Sequence, residues 1–240
     1  MHNSNSSTGA VEYKKSYIAY MDIMGFSKMV MGESEYIKTC RDIYDIFDDT
    51  VFDIQGKMPK GHSYYMDLRE IQMKVMSDSI FLCVDSEIPK ALYVLISACI
   101  IIQGSLLARE KPILIRGAIV EDDVYCDERI VFGPGFIKAY ESERDVARYP
   151  RIIVSEEAIA HARRLDNSTS DDLIDYLLHE EEYFRVVNCY PQIKENATDD
   201  DLQRMIGYIK ESERNETDAK IKEKYKYVIK RFEEEGIISV

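Results

Sequence analysis

The chain has 240 residues, of which 45% are hydrophobic and 31% charged, and its formal net charge is −13. This composition is typical of a globular protein of one or two domains with a core of ordinary size. The acidic balance argues against nucleic acid and anionic membrane surfaces as partners, although a metal ion or a local basic cluster still allows a small phosphorylated ligand.

The chain opens with a polar segment and contains one long apolar run. Residues 1–14 are predicted to form a disordered tail, because the start is polar and lacks the apolar stretch of a signal peptide. The run over residues 91–108 is interrupted by polar residues, so we predict a buried helix and no membrane span. The five widely spaced cysteines contain no CxxC pair, which indicates a reducing cytosol and no zinc site.

A short, β-rich apolar run begins the folded part. Residues 16–24 are predicted to form a buried central strand that ends at residues 25–27. Apolar residues at helical spacing then predict a helix over residues 33–54, and a loop follows over 55–62.

A tight hairpin comes next. Strand-like runs over residues 67–76 and 79–84 are separated only by residues 77–78. Pro89, at a favoured first-turn position, opens the apolar helix, which is predicted to run to Arg109.

The later elements alternate between strand and helix. In order they are strands over 112–120 and 130–132, a helix from 133–135 through 148, a strand over 150–155, and a helix to 164 capped by Ser155. The mixed order predicts an α+β fold, with one mixed sheet and helices on one face.

The last part of the chain has a different character. We predict a main domain over residues 15–165 and a mostly helical extension over 166–240 that packs on it. Within the extension, residues 183–189 are strand-like and residues 199–232 are helical and highly charged.

Two aspartates are candidates for chemistry. Asp22 lies inside the first apolar strand, where an unpaired charge is costly, so it is paired, neutral or metal-bound, or caps the next helix. Asp78 lies in the hairpin turn, where Asp is common. A turn lying beside the end of the central strand would bring the carboxylates together, as in two-metal phosphoryl-transfer sites.

The residues around both aspartates resemble the motifs of class III nucleotidyl cyclases. The run YMDIMGFS at 20–27 resembles the first-strand motif, with its metal-binding Asp. Lys74 and Asp78 resemble the second motif, in which a Lys precedes the second metal Asp by four residues. Residues 115–119 and 132–155 resemble the later strands and helix of the family.

One part of the chain is more similar to a subgroup of that family. The segments GPG at 133–135, AYE at 139–141 and YPRI at 149–152 resemble the pyrimidine cyclases of bacterial Pycsar antiphage systems. The whole resemblance covers residues 16–160 and implies the ferredoxin-like palm fold of class III cyclases.

The resemblance implies a metal site and a substrate site. Two divalent cations, Mn²⁺ or Mg²⁺, would be held by Asp22, Asp78 and the backbone carbonyl of Ile23. The remaining implied substrate contacts are the backbone N–H groups of Gly25, Phe26 and Ser27 for phosphates, and Lys74 for the base.

Two basic residues have alternative interpretations. Arg116, mid-strand between apolar residues, is either a phosphate or transition-state contact or half of a buried structural ion pair. Lys74 is either the implied base contact or an exposed strand lysine.

The implied activity is the conversion of a pyrimidine nucleoside triphosphate, UTP ahead of CTP, to a 3′,5′-cyclic mononucleotide and pyrophosphate. In this interpretation the protein is a cytoplasmic homodimer with shared active sites. Its product, a second messenger of antiphage defence, would act on a separate effector protein.

The sequence also departs from the family pattern. Many class III cyclases carry an Asn and an Arg where this chain has Ile137 and Glu141, and Pro134 replaces the Asp that reads adenine. The candidates to replace the missing arginine are Arg116, Arg144, Arg148 and Arg151.

Several alternatives stay open at this level. Four tyrosines either narrow a base pocket or are ordinary core residues, namely Tyr64, Tyr65, Tyr93 and Tyr140. The domain is an enzyme, or a non-catalytic nucleotide-binding module of the same fold. A diguanylate cyclase or palm polymerase is disfavoured, because the hairpin reads MSDS and not GGDEF.

Overall fold

The computed structural model describes residues 11–31, 40–49, 71–166, 171–181 and 183–238. The strands are β1 (Lys14–Ile23), β2 (Gln72–Met76), β3 (Ser79–Asp85), β4 (Ile115–Cys126), β5 (Val131–Phe132), β6 (Ile152–Val154), β7 (Leu178–Glu181) and β8 (Phe184–Val187). The helices are α1 (Phe26–Val30), α2 (Cys40–Phe47), α3 (Ala91–Leu107), α4 (Pro134–Asp145), α5 (Glu156–Asp166), α6 (Asp171–Leu177), α7 (Tyr190–Asn196), α8 (Asp199–Asn215) and α9 (Ala219–Glu234).

Some predictions fall on other residues. The first ten residues of the predicted tail, the loop over 55–62, the first part of the hairpin, and Tyr64 and Tyr65 lie outside the described residues. So do both ends of the helix predicted over 33–54, of which the structure describes α2.

The strands form one mixed sheet in the order β2-β3-β1-β4-β6-β8-β7, and β5 pairs with β4. Strand β1 is central, because it pairs antiparallel with both β3 and β4. The β4–β6 pair is parallel, while the remaining pairs are antiparallel. The predicted α+β fold with a mixed sheet is thereby confirmed.

The two faces of β1 belong to different cores. Tyr17, Ala19 and Met21 face the larger core, which includes α3, whereas Ile18 and Tyr20 face a smaller one with α4. Alternation along a strand produces this division. Most helices pack on the larger core, so α4 is the exception to the prediction of helices on one face.

Helix α4 approaches the sheet closely because its inner residues are small. Gly135 and Ala139 are buried and four residues apart on one side of the helix. A Cβ atom at Gly135 would overlap the Ile18 side chain. This close packing brings the polar residues of α4 down to the strands beneath it.

The turn between β2 and β3 and the N-cap of α5 are both as predicted from the sequence. The β2–β3 turn is a two-residue connection in which Ser77 adopts a left-handed conformation, with φ 58°. Ser155 caps α5, since its Oγ accepts a hydrogen bond from the Ala158 N–H at 3.2 Å.

The C-terminal part is mostly helical, and the strand-like piece predicted over 183–189 contains β8, but it also includes a strand that the sequence did not predict, β7. Strand β7, where the sequence suggested acidic helix, pairs with β8, and β8 pairs with β6, so both extend the main sheet. The charged stretch over 199–232 forms two helices, because Asp218 caps a new helix at Ala219. Among the described residues, no helix combines the length and apolarity that crossing a membrane requires.

Candidate active site

Asp22 is the last residue but one of the central strand β1. Its neighbours across the sheet are Ser79 on β3 and Arg116 on β4. Since residues paired across strands share a face, all three lie on the α4 face. The Asp22 side chain is 22% exposed, so it is half-buried and still open to a small ligand.

The hairpin turn lies directly beside the end of β1. The Ile23 N–H donates a hydrogen bond to the Asp78 carbonyl oxygen at 2.9 Å. The charge of Asp78 also raises the pKa of Asp22, so the two side chains lie within electrostatic reach of each other. The structure therefore brings together Asp22 and Asp78, called here the aspartate pair, from a strand end and a turn.

The aspartate pair is electrostatically strained. Burial, and then the charge of Asp78, raise the pKa of Asp22 to about 6, while Arg116 opposes the shift. Two carboxylates this close repel each other when both are ionised, and a cation between them removes that repulsion.

A third carboxyl group, Glu143 on α4, completes the cluster. Arg116 Nε lies 2.5 Å from Glu143 Oε1 and 3.6 Å from Asp22 Oδ2. The Glu143 side chain is 3% exposed. Burial raises its pKa to about 7, while Arg116 opposes the rise. Arg116 therefore forms a buried ion pair and also faces the aspartate pair, so both interpretations of it have a basis.

Sequence reasoning missed Glu143, although a signal was present. Gly135, Ala139 and Glu143 recur every four residues, which places a carboxylate on the buried side of an amphipathic helix. Such a group needs a cation, and Arg116 supplies it.

The chemistry of the aspartate pair fits a divalent cation. Two carboxylates and the nearby Ile23 carbonyl are the hard oxygen ligands that Mg²⁺ and Mn²⁺ take. In the described part of the chain, no group of three or more His, Cys, Asp or Glu side chains is placed to hold a metal. The pair therefore leaves other coordination positions to water or substrate, as is usual for Mg²⁺.

The segment after β1 turns sharply into α1. Gly25 has φ 79° and faces open space, and its carbonyl accepts a hydrogen bond from the Lys28 N–H at 3.1 Å. Phe26 turns toward α2, with its ring centroid 6.3 Å from that of Phe47. Ser27 is exposed. The predicted phosphate contacts thus lie within five residues of Asp22 on an accessible turn.

Lys74 is on the same face as Asp22 but farther out. It pairs with Phe81 on β3, which in turn pairs with Tyr20 on β1. Its charge acts on Cys126, whose pKa is lowered chiefly by a hydrogen bond with Cys83. Lys74 thus occupies the edge strand two strands from Asp22, a separation that a bound nucleoside could span.

Of the tyrosines predicted as candidate pocket residues, Tyr140 lies near the aspartate pair and Tyr93 does not. The Tyr140 ring packs edge-on against Tyr20 at 5.6 Å, and the Tyr20 hydroxyl hydrogen-bonds with Ser79 Oγ at 2.6 Å. Tyr140 is therefore near the Asp22 row. Tyr93 lies on α3, which packs on the opposite face of the sheet, so the structure does not bring it to this site.

The outer side of α4 carries the residues that depart from the family pattern. Ile137 is 56% exposed, and Glu141 is exposed too. Arg144 is bound by Asp145, with Nε–Oδ1 at 2.7 Å, and Arg151 is paired with Glu181. Of the four arginines that could replace the missing one, Arg116 is the one that contacts Asp22.

A second cation near the aspartate pair comes from the C-terminal helix α9. Lys224 is half-buried, and burial lowers its pKa. The nearby Arg116 lowers this pKa further, whereas Asp22 raises it. Lys224 therefore lies within electrostatic reach of both residues, and nothing in the sequence had indicated it.

No protein-family model and no curated protein matches this chain. Similar solved structures include the guanylyl cyclase domain of the RhoGC fusion protein from the aquatic fungus Blastocladiella emersonii, with 14% identity and a TM-score of 0.46 over 64% of this chain and 87% of that one. The catalytic core of a rhodopsin-guanylyl cyclase with converted specificity, in complex with ATPαS, has 13% identity and a TM-score of 0.48 over 74% and 97%. An adenylate/guanylate cyclase/hydrolase from Silicibacter pomeroyi has 15% identity and a TM-score of 0.44 over 73% and 95%. These likenesses concern the course of the backbone alone.

Proposed function

We propose that this protein is a metal-dependent nucleotidyl cyclase that converts a pyrimidine nucleoside triphosphate, UTP ahead of CTP, to its 3′,5′-cyclic mononucleotide and pyrophosphate. The observation that carries the proposal is the meeting of Asp22 and Asp78 beside Arg116. A strand-end Asp and a hairpin Asp are the arrangement that the sequence motifs around both residues imply.

The aspartate pair would hold the divalent ions, with the Ile23 carbonyl as a further ligand. When bound, the ions would lower the pKa of the ribose 3′-hydroxyl and neutralise charge on the triphosphate. The 3′-oxygen forms a bond to the α-phosphorus, the bond to the bridging oxygen breaks, and pyrophosphate leaves while the hydroxyl proton passes to solvent.

Arg116 is placed to stabilise charge that develops during this displacement. Its ion pair with Glu143, with Nε 2.5 Å from Oε1, keeps the guanidinium beside Asp22 before substrate arrives. A preorganised cation of this kind costs no reorganisation during the reaction. The turn at Gly25, Phe26 and Ser27 is proposed to contact the phosphates, and Lys74 the base.

A homodimer and a downstream effector belong to the same proposal. The outer side of α4 exposes apolar side chains such as Ile137 and Tyr140. We propose that a second copy covers this side and shares the active site. The cyclic product would then act on a separate effector in antiphage defence, with synthesis in the cytoplasm.

One observation favours a second candidate, a nucleotide-binding module without turnover. The α4 positions that carry Asn and Arg in many class III cyclases hold the exposed Ile137 and Glu141 here. Such a module would still bind a triphosphate at the aspartate pair but would release it unchanged.

Incubation of the purified protein with ATP, GTP, CTP or UTP and Mn²⁺, with products resolved by mass, separates these candidates. We expect one cyclic pyrimidine product, and a loss of about a hundredfold or more in Asp22→Asn and Asp78→Asn, since each removes the negative charge of a metal ligand and keeps the shape of the side chain. Asp85→Asn is the matched control. Asp78 lies just before strand β3 and Asp85 is the last residue of that strand, where its side chain accepts a hydrogen bond from the Glu87 N–H at 3.0 Å. A purine product would refute the pyrimidine assignment, and no product from any triphosphate would favour the binding module.

A further inference from the structure

A cavity of about 720 Å³ lies between the outer strands of the sheet and the C-terminal helix α9. Its walls come from β7, β8, α9 and the segment just before β6. The volume falls within the range of small-molecule sites, roughly 300–1,000 Å³. None of the described residues that line it belongs to the aspartate pair, and neither Arg116 nor Glu143 is among them. The cavity is therefore separate from the candidate active site.

This cavity is on the same face of the sheet as helix α4. Phe184, which lines it, packs with Ala118 in one apolar cluster. Ala118 pairs with Tyr20, which faces α4. Helix α4 itself packs on β1 and β4 and leaves the outer strands β7 and β8 to the cavity. A ligand here would share a face with the candidate active site without occupying it.

Four flat side chains that line the cavity form one stacked series. The Tyr227 ring stacks on Tyr149, with 5.3 Å between the ring centroids and 11° between the ring planes. The Arg151 guanidinium lies 5.6 Å from the Tyr149 ring centroid and 5.0 Å from that of Phe184. Aromatic faces and a guanidinium plane are the surfaces on which a planar ligand stacks.

The stacked series is held in place by Glu181 on β7. Its carboxylate forms an ion pair with Arg151 and accepts a hydrogen bond from the Tyr227 hydroxyl. The side chains of Arg151 and Glu181 are 11% and 15% exposed, so this pairing is largely shielded from water. Because the series is already ordered, a ligand that stacks on it pays little conformational entropy for the wall.

Tyr183 adds an exposed aromatic ring to the same cavity. It directly precedes Phe184, lines the cavity and is 76% exposed. A single exposed tyrosine is ordinary on a protein surface. Here, however, the exposed ring stands next to an aromatic wall, where it offers a further stacking surface for a planar ring.

The charged groups of the cavity balance each other. The lining carries four carboxylates and four cations, namely Glu180, Glu181, Glu223 and Glu234 with Arg151, Lys226, Lys230 and Arg231. Arg231 is bound by Glu234 at 2.7 Å, and Lys230 lies 3.3 Å from the same carboxylate. An excess of cations, which an anion site would need, is absent from the described lining. Donors and acceptors are both present, which suits the polar edge of a neutral heteroaromatic ring.

We propose that this cavity binds a neutral ligand of nucleoside size, whose planar heteroaromatic ring stacks on Tyr183 and the adjacent aromatic wall. The N–H and carbonyl groups of the ring would meet the carboxylates and lysines of the lining. The proposal does not rest on the cyclase function, because the cavity is separate from the aspartate pair. It gives the protein a second small-molecule site on the α4 face.

The first test measures nucleoside binding in EDTA, so that no metal is held at the aspartate pair. Affinity of the full chain for uridine, cytidine, adenosine and guanosine is compared by calorimetry in wild type, Tyr183→Ala, Tyr183→Phe and Tyr176→Ala. We expect wild type to bind at least one nucleoside and Tyr183→Ala to weaken that binding by about tenfold, since a base loses its stacking partner. Tyr183→Phe keeps the ring and should bind as wild type does. Tyr176, 71% exposed on α6, is the matched control and should also leave binding unchanged.

The second test locates the bound nucleoside. A photoreactive analogue of the nucleoside that binds, such as 4-thiouridine, should label the peptide that contains Tyr183 and Phe184. The matching nucleoside monophosphate should bind no better than the nucleoside, because the lining is balanced in charge. Absence of nucleoside binding, wild-type affinity in Tyr183→Ala, label confined to peptides of the aspartate pair, or a preference of about tenfold for the monophosphate would each overturn the proposal. A failed cyclase assay would leave these binding results unchanged.

Discussion

Glu143 is a carboxyl group held almost fully out of water, and this has a consequence for pH dependence. Burial raises its pKa from 4.5 to about 7 in the folded protein, even though Arg116 opposes the shift. A carboxyl with a raised pKa binds its proton more tightly when folded than when unfolded, so its contribution to stability is present below pH 4.5 and is lost as the pH rises through 7. The loss amounts to about 3 kcal/mol.

Glu143→Gln should therefore flatten the pH dependence of stability. The amide keeps the shape of the side chain and an oxygen for Arg116, but it does not ionise. We expect wild type to lose more unfolding free energy than the variant between pH 5 and pH 8, measured by chemical denaturation in EDTA. Glu141→Gln, on the exposed side of the same helix, should follow wild type. Parallel curves for wild type and Glu143→Gln would contradict the prediction.

For single residues, the sequence indicates which side chains are candidates for the site, but not which distant side chains they contact. Asp22 and Asp78 could be predicted because each signal is local, an Asp in an apolar strand and an Asp in a two-residue turn. Glu143, in contrast, is far from Asp22 in the sequence and lies on a different element, α4. The four-residue spacing of Gly135, Ala139 and Glu143 indicates a buried carboxylate, but only the packing of α4 on the sheet decides that Arg116 is its partner.

Among the elements, α9 depends on a buried arginine. Arg231 bonds to Glu234 and Glu235 at 2.7 Å each and lies 2.7 Å from the ring nitrogen Nε2 of His179 on β7. It therefore ties the helix to the outer strand of the sheet. Removing one partner of a buried, hydrogen-bonded charge cluster leaves the others uncompensated.

We expect Arg231→Met to destabilise the protein by about 3 kcal/mol, with a matching fall in the denaturation midpoint. Lys230→Met is the control, since that lysine is exposed and its 3.3 Å pair with Glu234 is worth about 0.5 kcal/mol or less. If both variants unfold at the same denaturant concentration, Arg231 does not anchor the helix.

Strand β7 shows why the sequence of this segment did not predict a strand, whereas the sequence of β1 did. The sequence LHEE has no β-rich alternation and is flanked by acidic, helix-favouring residues. It is extended because β8 offers an antiparallel edge, on which Leu178 pairs with Val187. Pairing with a neighbouring strand can override weak local preference, whereas the β-rich run of β1 needed no such help.

At the scale of the whole molecule, the outer side of α4 is an exposed apolar surface. Ile137 is more than half exposed and Tyr140 is 40% exposed, on a helix whose inner side packs on β1 and β4. In the proposed homodimer, a second copy would cover these exposed apolar groups. Because α4 also carries Glu143, a partner on this side would lie close to the aspartate pair.

Ile137→Asp should therefore convert a dimer to a monomer and reduce cyclase turnover together, because a buried, unpaired carboxylate at the contact costs several kcal/mol. Sedimentation velocity and product formation, measured at the same protein concentration, test the two effects. Tyr176→Asp is the matched control, an exposed apolar residue on α6, which packs on the opposite face of the sheet. A wild-type protein that is monomeric and fully active would exclude a shared active site, since every catalytic group would then come from one chain. A dimer that survives Ile137→Asp would place the interface elsewhere and leave the side of α4 open for the substrate or another partner.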